Sequence, residues 1–240
     1  MLRDQILEVL QSNPAYGYRR VAIHLGINKK RVHRVMQKYK IRPYKRKVRL
    51  RKRRDLRREP MTYQNLIKDS FTIHKGVIYA ADFTYIPHKS KYYYLATFMD
   101  LYTREIIDCD ISNKHDKYTV LRALLNAILN TNYTLPKIIH SDQGSEYCSK
   151  EYLWFLSFFD IQVSMSKKSS PWENGYQGSF YSNFKTDLGL EFDRFDTLGE
   201  FIEGIHQTIH YYNNERIRTS LKMAPSVFAK GNKSVQKWGS

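Results

Sequence analysis

The chain has 240 residues, 42% of them hydrophobic, with 12 Phe, 19 Tyr and 3 Trp to fill a core. That is room for one medium domain plus a small accessory one, and it argues against a disordered polymer. The net charge of +17 is lopsided, since residues 1–58 hold 20 Lys/Arg against 3 Asp/Glu while residues 59–240 hold 20 of each; a basic module aimed at a polyanion, joined to a near-neutral domain, is the simplest reading. The two cysteines, Cys109 and Cys148, belong to no Cys-x-x-Cys pair, which disfavours a zinc ribbon or a disulfide framework and fits a reducing cytosol. No apolar run approaches the roughly 20 residues that span a bilayer, and the N-terminus lacks an apolar signal segment. The expectation is a soluble, intracellular protein with no membrane partner.

In chain order, Leu2, Ile6, Leu7 and Leu10 share one face of a helix predicted over 2–11. Asn13-Pro14 and Tyr16-Gly17 interrupt it. Residues 18–25 read as a second helix, Gly26-Ile27-Asn28 as a tight turn, and 29–40 as a third helix with Asn28 as N-cap and Val32, Val35 and Met36 as its inward stripe. Two short helices joined by a glycine-containing turn, the second rich in Lys and Arg, match a helix-turn-helix over 1–42. Arg19, Arg20, Lys29, Lys30, Arg31 and Arg34 are its candidate DNA contacts; a small bundle with solvated charges is the alternative. Residues 38–58 then carry 13 Lys/Arg in 21 positions. Pro43 and that density argue against a packed element, so 43–62 reads as a basic linker. Lys45, Arg46, Lys47, Arg49, Arg51, Lys52, Arg53 and Arg54 would meet phosphates there, each contact steepening the salt dependence of binding by roughly 0.9 in log–log slope. A localisation signal or plain solubility is the alternative.

From about residue 63 the pattern changes. GVIYAADFTYIP, KYYYLATFMDLY and REIIDCDIS read as three consecutive strands with turns at His88–Ser90 and Thr103-Arg104, and Tyr92, Tyr93 and Tyr94 as β-formers. An amphipathic helix over 116–131 precedes a short strand KIIHSD. A helix over 149–159, a strand over 161–166 and a helix from about Pro171 follow. A last helix over 201–218 has Ile202, Ile205, Ile209 and Tyr212 on one side. Three antiparallel strands followed by alternating helix and strand describe an α/β mixed sheet with helices on both sides, here assigned to 63–232 with a tail over 233–240.

Asp142 follows the apolar run Lys137–His140, at the carboxyl end of a strand where open α/β sheets place their ligands. Asp82 lies inside another strand. Two such carboxylates plus a third on a later helix would hold a pair of Mg²⁺ or Mn²⁺ ions, hard cations that favour oxygen ligands and keep several waters. Thirty-five residues separate Asp142 from position 178, where the third acid is expected, and that position is Gly178. Asp100 reads as a strand-end or turn carboxylate. Glu173 lies five residues before Gly178, about 140° around a helix, and Ser170-Pro171-Trp172-Glu173 has the form of a capping box. Asn174, Gly178, Tyr181 and Lys185 share a helical face that would meet DNA, with Phe180 and Phe184 turned to the core. His140 reads as a strand residue satisfied by a neighbour.

The segments ADFTYI, HSDQGSEY, SPWENGYQGSFYSNFK and YYNNERIRTSLKMAPSVF resemble those of bacterial insertion-sequence transposases of the OrfB type, within the retroviral-integrase superfamily of DDE recombinases. YGYRRVAIHL…KKRVHRVM resembles the helix-turn-helix that precedes their catalytic domain. The resemblance implies a ribonuclease-H-like fold, divalent metal, cleavage at element ends and strand transfer into target DNA, with Asp82 and Asp142 as the first two catalytic acids and metal ligands. It implies DNA contact by Lys185, matches Asn213, Arg216 and Pro225 to a shared C-terminal pattern, and puts Arg218 where similar proteins carry His. Arg216, Arg218 and Asn174 are therefore further candidate DNA contacts. The resemblance departs at Gly178, which stands where a Glu is expected.

The resulting expectation is a DNA transposase that binds double-stranded element ends and target DNA, as a homo-oligomer on DNA in the bacterial cytoplasm and nucleoid, with activity impaired by Gly178. The alternatives are a catalytically inactive DNA-binding regulator or repressor derived from a transposase, and a nuclease of the same fold that only cuts.

Overall fold

The computed structural model describes residues 1–45, 63–68, 74–167, 170, 172–189 and 192–231. The described residues fall into two compact units. One is drawn from Met1–Leu50, Asn183–Glu191 and Glu203–Ser240, the other from Arg51–Ser182 and Phe192–Ile202. The expected linker residues Arg46, Lys47, Arg49, Arg51, Lys52, Arg53 and Arg54, and the tail over 233–240, lie outside the described residues.

The second unit holds a five-stranded sheet in the order β3-β2-β1-β4-β5. β1 (Ile78–His88), β2 (Lys91–Asp100) and β3 (Ile106–Ser112) form an antiparallel meander, and β4 (Ile138–Ser141) and β5 (Gln162–Met165) run parallel to β1. The period-two alternation and the turn residues place these strands close to where the sequence predicts them. One face of the sheet, carrying Tyr79, Ala81, Ala96 and Phe98, buries Val120, Ala123, Leu124 and Ala127 of α4 (Lys117–Asn130) and Tyr152 and Leu156 of α5 (Lys150–Phe158). The other face presents Ala80 and Thr97 to α6 (Gly175–Asp187), whose Gln177 bonds to both. Helices on both faces of this mixed sheet give the expected ribonuclease-H-like α/β architecture.

Asp100 is the turn carboxylate its position implies. It is fully buried, and Oδ1 accepts from the N–H groups of Tyr102 (2.9 Å) and Thr103 (2.8 Å), while Oδ2 accepts from the N–H of Gly76. Four donors committed to one carboxylate, counting the Thr103 hydroxyl at 3.1 Å, explain why an acid sits at this strand end.

In the first unit, α1 (Leu2–Ser12), α2 (Tyr18–His24) and α3 (Lys29–Lys38) close around Ile6, Val9, Tyr16, Val21, Val32 and Met36. The α2–α3 turn works as the sequence indicates. Gly26 adopts φ +65, its N–H reaches Ile23 O and the Ile27 N–H reaches Ala22 O, which is the paired bonding of a glycine-terminated helix. Asn28 Oδ1 then caps α3 by accepting from the Lys30 N–H at 2.8 Å. The C-terminal helices α7 (Leu198–Asn214) and α8 (Pro225–Gly231) were expected wholly within a catalytic core over 63–232. Instead, much of this segment belongs with the N-terminal helices. Tyr16 Oη accepts from the Ile217 N–H at 2.8 Å, Tyr211 Oη donates to Asn13 Oδ1 at 2.6 Å, and Arg20 Nε donates to Ile217 O at 3.0 Å.

Arg216 sits at the centre of this arrangement, 1% exposed, paired through Nε with Asp187 and donating to Asn183 Oδ1 at 2.9 Å. Burial raises the Asp187 pKa and the Arg216 charge opposes it. Removing one member of a buried pair strands the other, so Arg216→Ala is expected to lower unfolding stability by about 3–5 kcal/mol. Arg216→Met combined with Asp187→Leu should recover most of the loss. Denaturant unfolding of the three chains checks this, and an unchanged midpoint for Arg216→Ala would contradict it.

Candidate active site

Asp82 and Asp142 leave neighbouring parallel strands at one level. The last rung of the β1–β4 ladder joins Ala80 to His140, and each acid lies two residues beyond its member of that rung. Both carboxylates also act on the same two tyrosines. Tyr147 and Tyr181 have pKa values raised well above the ordinary phenol, first by complete burial, with Asp82 and then more distant groups including Asp142 adding to the rise. The Tyr147 hydroxyl has no hydrogen-bond partner among the described residues.

Asp82 is half-buried, and its Oδ1 accepts from the N–H of Phe83 at 2.8 Å. Asp142 is exposed at the end of β4 and closes a turn by accepting from the Gly144 N–H at 2.9 Å. A side chain at residue 144 would not fit. An added Cβ would lie 2.7 Å from Glu146 Oε1 and 3.0 Å from Asp142 Oδ1, so both carboxylates crowd one point beside the Gly144 backbone. Glu146 is buried, and its Oε1 lies 3.6 Å from His115 Nε2, whose ring packs edge-on against Phe83 and Tyr94. The surrounding protein mass raises the Asp142 pKa. The Gly144 N–H opposes that rise, Glu146 adds to it and His115 opposes it.

α6 is locked onto β1 beside Asp82 by three side chains. Gln177 Nε2 donates to Ala80 O at 2.6 Å, Asn174 Nδ2 to Ala81 O at 3.2 Å, and Tyr181 Oη to Asp82 O at 2.8 Å. The Thr97 hydroxyl of β2 lies 2.8 Å from the Tyr181 hydroxyl and donates to Gln177 Oε1 at 3.2 Å. Gly178 falls between these clamps, on the exposed side of the helix, where an added Cβ would meet nothing within 4 Å. The sequence turned Asn174 and Tyr181 towards DNA; the structure buries both against the sheet, where they donate to carbonyls of β1. Phe180 and Phe184 are fully buried, as expected.

Other expected roles also change. Glu173 does not form a capping box with Ser170, since α6 begins at Gly175 and the Glu173 carboxylate accepts from the Lys167 N–H at 2.7 Å and from Asn65 Nδ2 at 3.1 Å. His140, by contrast, is the strand residue satisfied by a neighbour that the sequence indicates: it is fully buried with Nδ1 2.8 Å from Ser164 Oγ, and burial takes its pKa down to about 4. Arg216 offers no surface to a phosphate, and Arg20 is committed to Ile217 O and Asn183 with its pKa lowered to about 10, chiefly by burial. Arg218 is half-buried and donates to Tyr212 Oη at 2.8 Å, and Lys185 is half-buried. Arg19, Lys29, Lys30, Arg31, Arg34 and Lys45 remain exposed. Gln177, Tyr147, Glu146 and His115 were not anticipated. The Gln177–Tyr181 spacing of four residues was the available signal for the first.

Among the described residues no cluster of three His, Cys, Asp or Glu side chains could hold a metal ion. The donor set that remains, two carboxylates at one level on adjacent strands, suits a hard divalent cation completed by water. The raised Asp142 pKa also has a consequence for stability. Its native carboxyl holds the proton more tightly than the unfolded chain does, so its charge opposes folding once pH rises above the ordinary value of 3.8. Asp142→Asn is therefore expected to raise Tm at pH 7, with the gain disappearing as pH falls below that value. A lower Tm at pH 7 would contradict this.

An integrase core domain model matches residues 74–171, and a second integrase core domain model matches residues 159–225. The chain is 32% identical over 200 residues to an uncharacterized transposase-like protein of Haemophilus influenzae, covering 82% of this chain and 90% of that protein. It is 33% identical over 157 residues to the transposase for insertion sequence element IS904 of Lactococcus lactis, covering 65% of this chain and 62% of that one, so the match spans less than two thirds of this relative. The fold is also that of the HTLV-2 integrase catalytic core domain solved in complex with magnesium, with TM-score 0.55 at 17% identity over 65% of this chain and 98% of that one. By these matches and its mixed sheet, the chain belongs to the insertion-sequence transposases that carry an integrase core domain.

Proposed function

We propose that this protein is a DNA transposase of the DDE type that binds the ends of an insertion sequence and catalyses strand cleavage and strand transfer, with catalysis impaired by Gly178. The observation that carries the reading is that Asp82 and Asp142 each lie two residues beyond the last rung of the β1–β4 ladder. In the reaction proposed, a water oxygen bonds to phosphorus at the element end as the 3′ oxygen leaves. That 3′-hydroxyl then attacks a target phosphodiester, forming the new strand junction and releasing a target 3′ oxygen.

Asp82 and Asp142 would hold Mg²⁺ or Mn²⁺, which when bound activates the attacking oxygen and stabilises the leaving one. Asp142 must be ionised to do so, and its raised pKa makes the site more sensitive to acid than an ordinary aspartate pair. The α6 clamps, with the Tyr181 hydroxyl on Asp82 O, hold the β1 backbone that carries Asp82. The open space at residue 178 leaves one side of the site without a carboxylate. Double-stranded DNA is the partner proposed for the exposed cations Arg19, Lys29, Lys30, Arg31 and Arg34, with Lys45 leading into the basic segment. Assembly as a homo-oligomer on DNA in the cytoplasm belongs to the same reading, and no helix among the described residues is long and apolar enough to cross a membrane.

Strand transfer by the unmodified chain and by Gly178→Glu, on DNA carrying the element ends with Mg²⁺ or Mn²⁺, tests the proposal. An added Cβ meets nothing, and leaving glycine stabilises a helix interior by roughly 0.5–1 kcal/mol, so the variant should fold at least as well. Supplying a missing group that stabilises the transition state is expected to raise the rate by on the order of 100-fold. A Gly178→Glu chain that binds ends normally and stays inactive would contradict the assignment.

A further inference from the structure

A groove of about 830 Å³ opens beside the helix-turn-helix, and its polar lining comes from two distant stretches of chain. Arg19, Lys29 and Lys30 line one side, Thr219, Ser220 and Lys222 the other, over an apolar floor from α2 and the α2–α3 turn. All six are exposed, and no carboxylate lines the groove. The second side is a tight loop, closed by the Arg218 N–H on Met223 O at 3.0 Å and by the Leu221 and Lys222 N–H groups on Arg218 O, with Lys222 at φ +59. At its tip the N–H groups of Thr219 and Ser220 donate to no protein acceptor among the described residues.

The loop is held firmly in place. Just before it, Ile217 bonds through its N–H to Tyr16 and through its carbonyl to Arg20, and Arg216 is pinned by Asp187 and Asn183. The buried ion pair, which touches no DNA itself, thus positions a hydroxyl-bearing, cationic loop against the start of α3. Four cations exceed what one small anion needs, and the open groove is far larger than a single phosphate. The lining therefore suits consecutive phosphates of a polyanion, met by ammonium and guanidinium groups, hydroxyls and unbonded N–H groups.

We propose that the 218–223 loop and the helix-turn-helix form one composite groove for the backbone of duplex DNA, with Thr219, Ser220 and Lys222 as DNA-contacting residues. The proposal rests on the DNA-binding reading above and extends it to a segment far from the N-terminal helices in sequence. The groove fixes the position of the helix-turn-helix on the duplex through phosphates and carries no base specificity of its own.

Fluorescence anisotropy with duplex DNA over a salt series tests it, using the full chain, Lys222→Glu, Ser220→Glu and the control Lys230→Glu. The control makes the same charge change as Lys222→Glu on α8, outside the groove. Thermal melting confirms that each variant is folded. Lys222→Glu and Ser220→Glu are expected to weaken binding about tenfold, with Lys222→Glu lowering the salt slope by roughly 1, while Lys230→Glu stays within about twofold. If the full chain binds duplex DNA and both groove variants match it in affinity and slope, the composite groove is wrong and DNA binding stands. Equal weakening by Lys230→Glu would also overturn the groove, since net charge alone would then explain the effect. A full chain that fails to bind duplex DNA overturns both readings.

Discussion

The candidate active site depends on one set of hydrogen bonds, from Gln177, Asn174 and Tyr181 to the carbonyls of Ala80, Ala81 and Asp82. β1 runs from Ile78 to His88, but its parallel neighbour β4 pairs with it only as far as Ala80. At and just beyond that last rung, side chains of the α6 segment donate to β1 carbonyls, each such bond contributing about 0.5–1.5 kcal/mol. The bond that completes the main chain at Asp82 also fixes the register of the helix, and with it the direction in which residue 178 faces. Sheet edge, catalytic strand and helix register are one constraint here.

A second balance operates at Asp142. The chain turns sharply through Gly144, using its N–H to hold the Asp142 carboxylate while Glu146 crowds the same point. Loss of hydration beside the surrounding protein and the neighbouring Glu146 carboxylate raise the pKa of the exposed Asp142, and the Gly144 N–H and His115 restrain the rise. Such a site favours a bound cation, because a divalent ion removes the repulsion between carboxylates that the protein alone leaves partly uncompensated. In the proposed function a third acid at residue 178 would share this task, and an added Cβ there meets nothing within 4 Å.

Much of this was legible in the sequence. Alternating hydrophobicity bounded by turn residues located β1, β2 and β3, and Gly26 with Asn28 located the helix-turn-helix, because each of these signals is local: a strand period, a positive φ, a cap. What stayed hidden was decided by partners far away in the chain. Helical periodicity put Asn174 and Tyr181 on one face but could not say that this face meets β1. Arg216 reads as a surface cation until Asp187, 29 residues earlier, is seen buried against it. The joining of residues 203–231 to the N-terminal helices likewise rests on Tyr16 and Tyr211, whose hydroxyls find partners about 200 residues away.

The most direct test of the central claim, that Asp82 and Asp142 form one cation site completed from residue 178, is calorimetric titration with Mn²⁺. The unmodified chain is predicted to bind weakly, Gly178→Glu more tightly and with more ions per chain, and the double replacement Asp82→Asn with Asp142→Asn not at all. Binding that survives the double replacement unchanged would contradict the account.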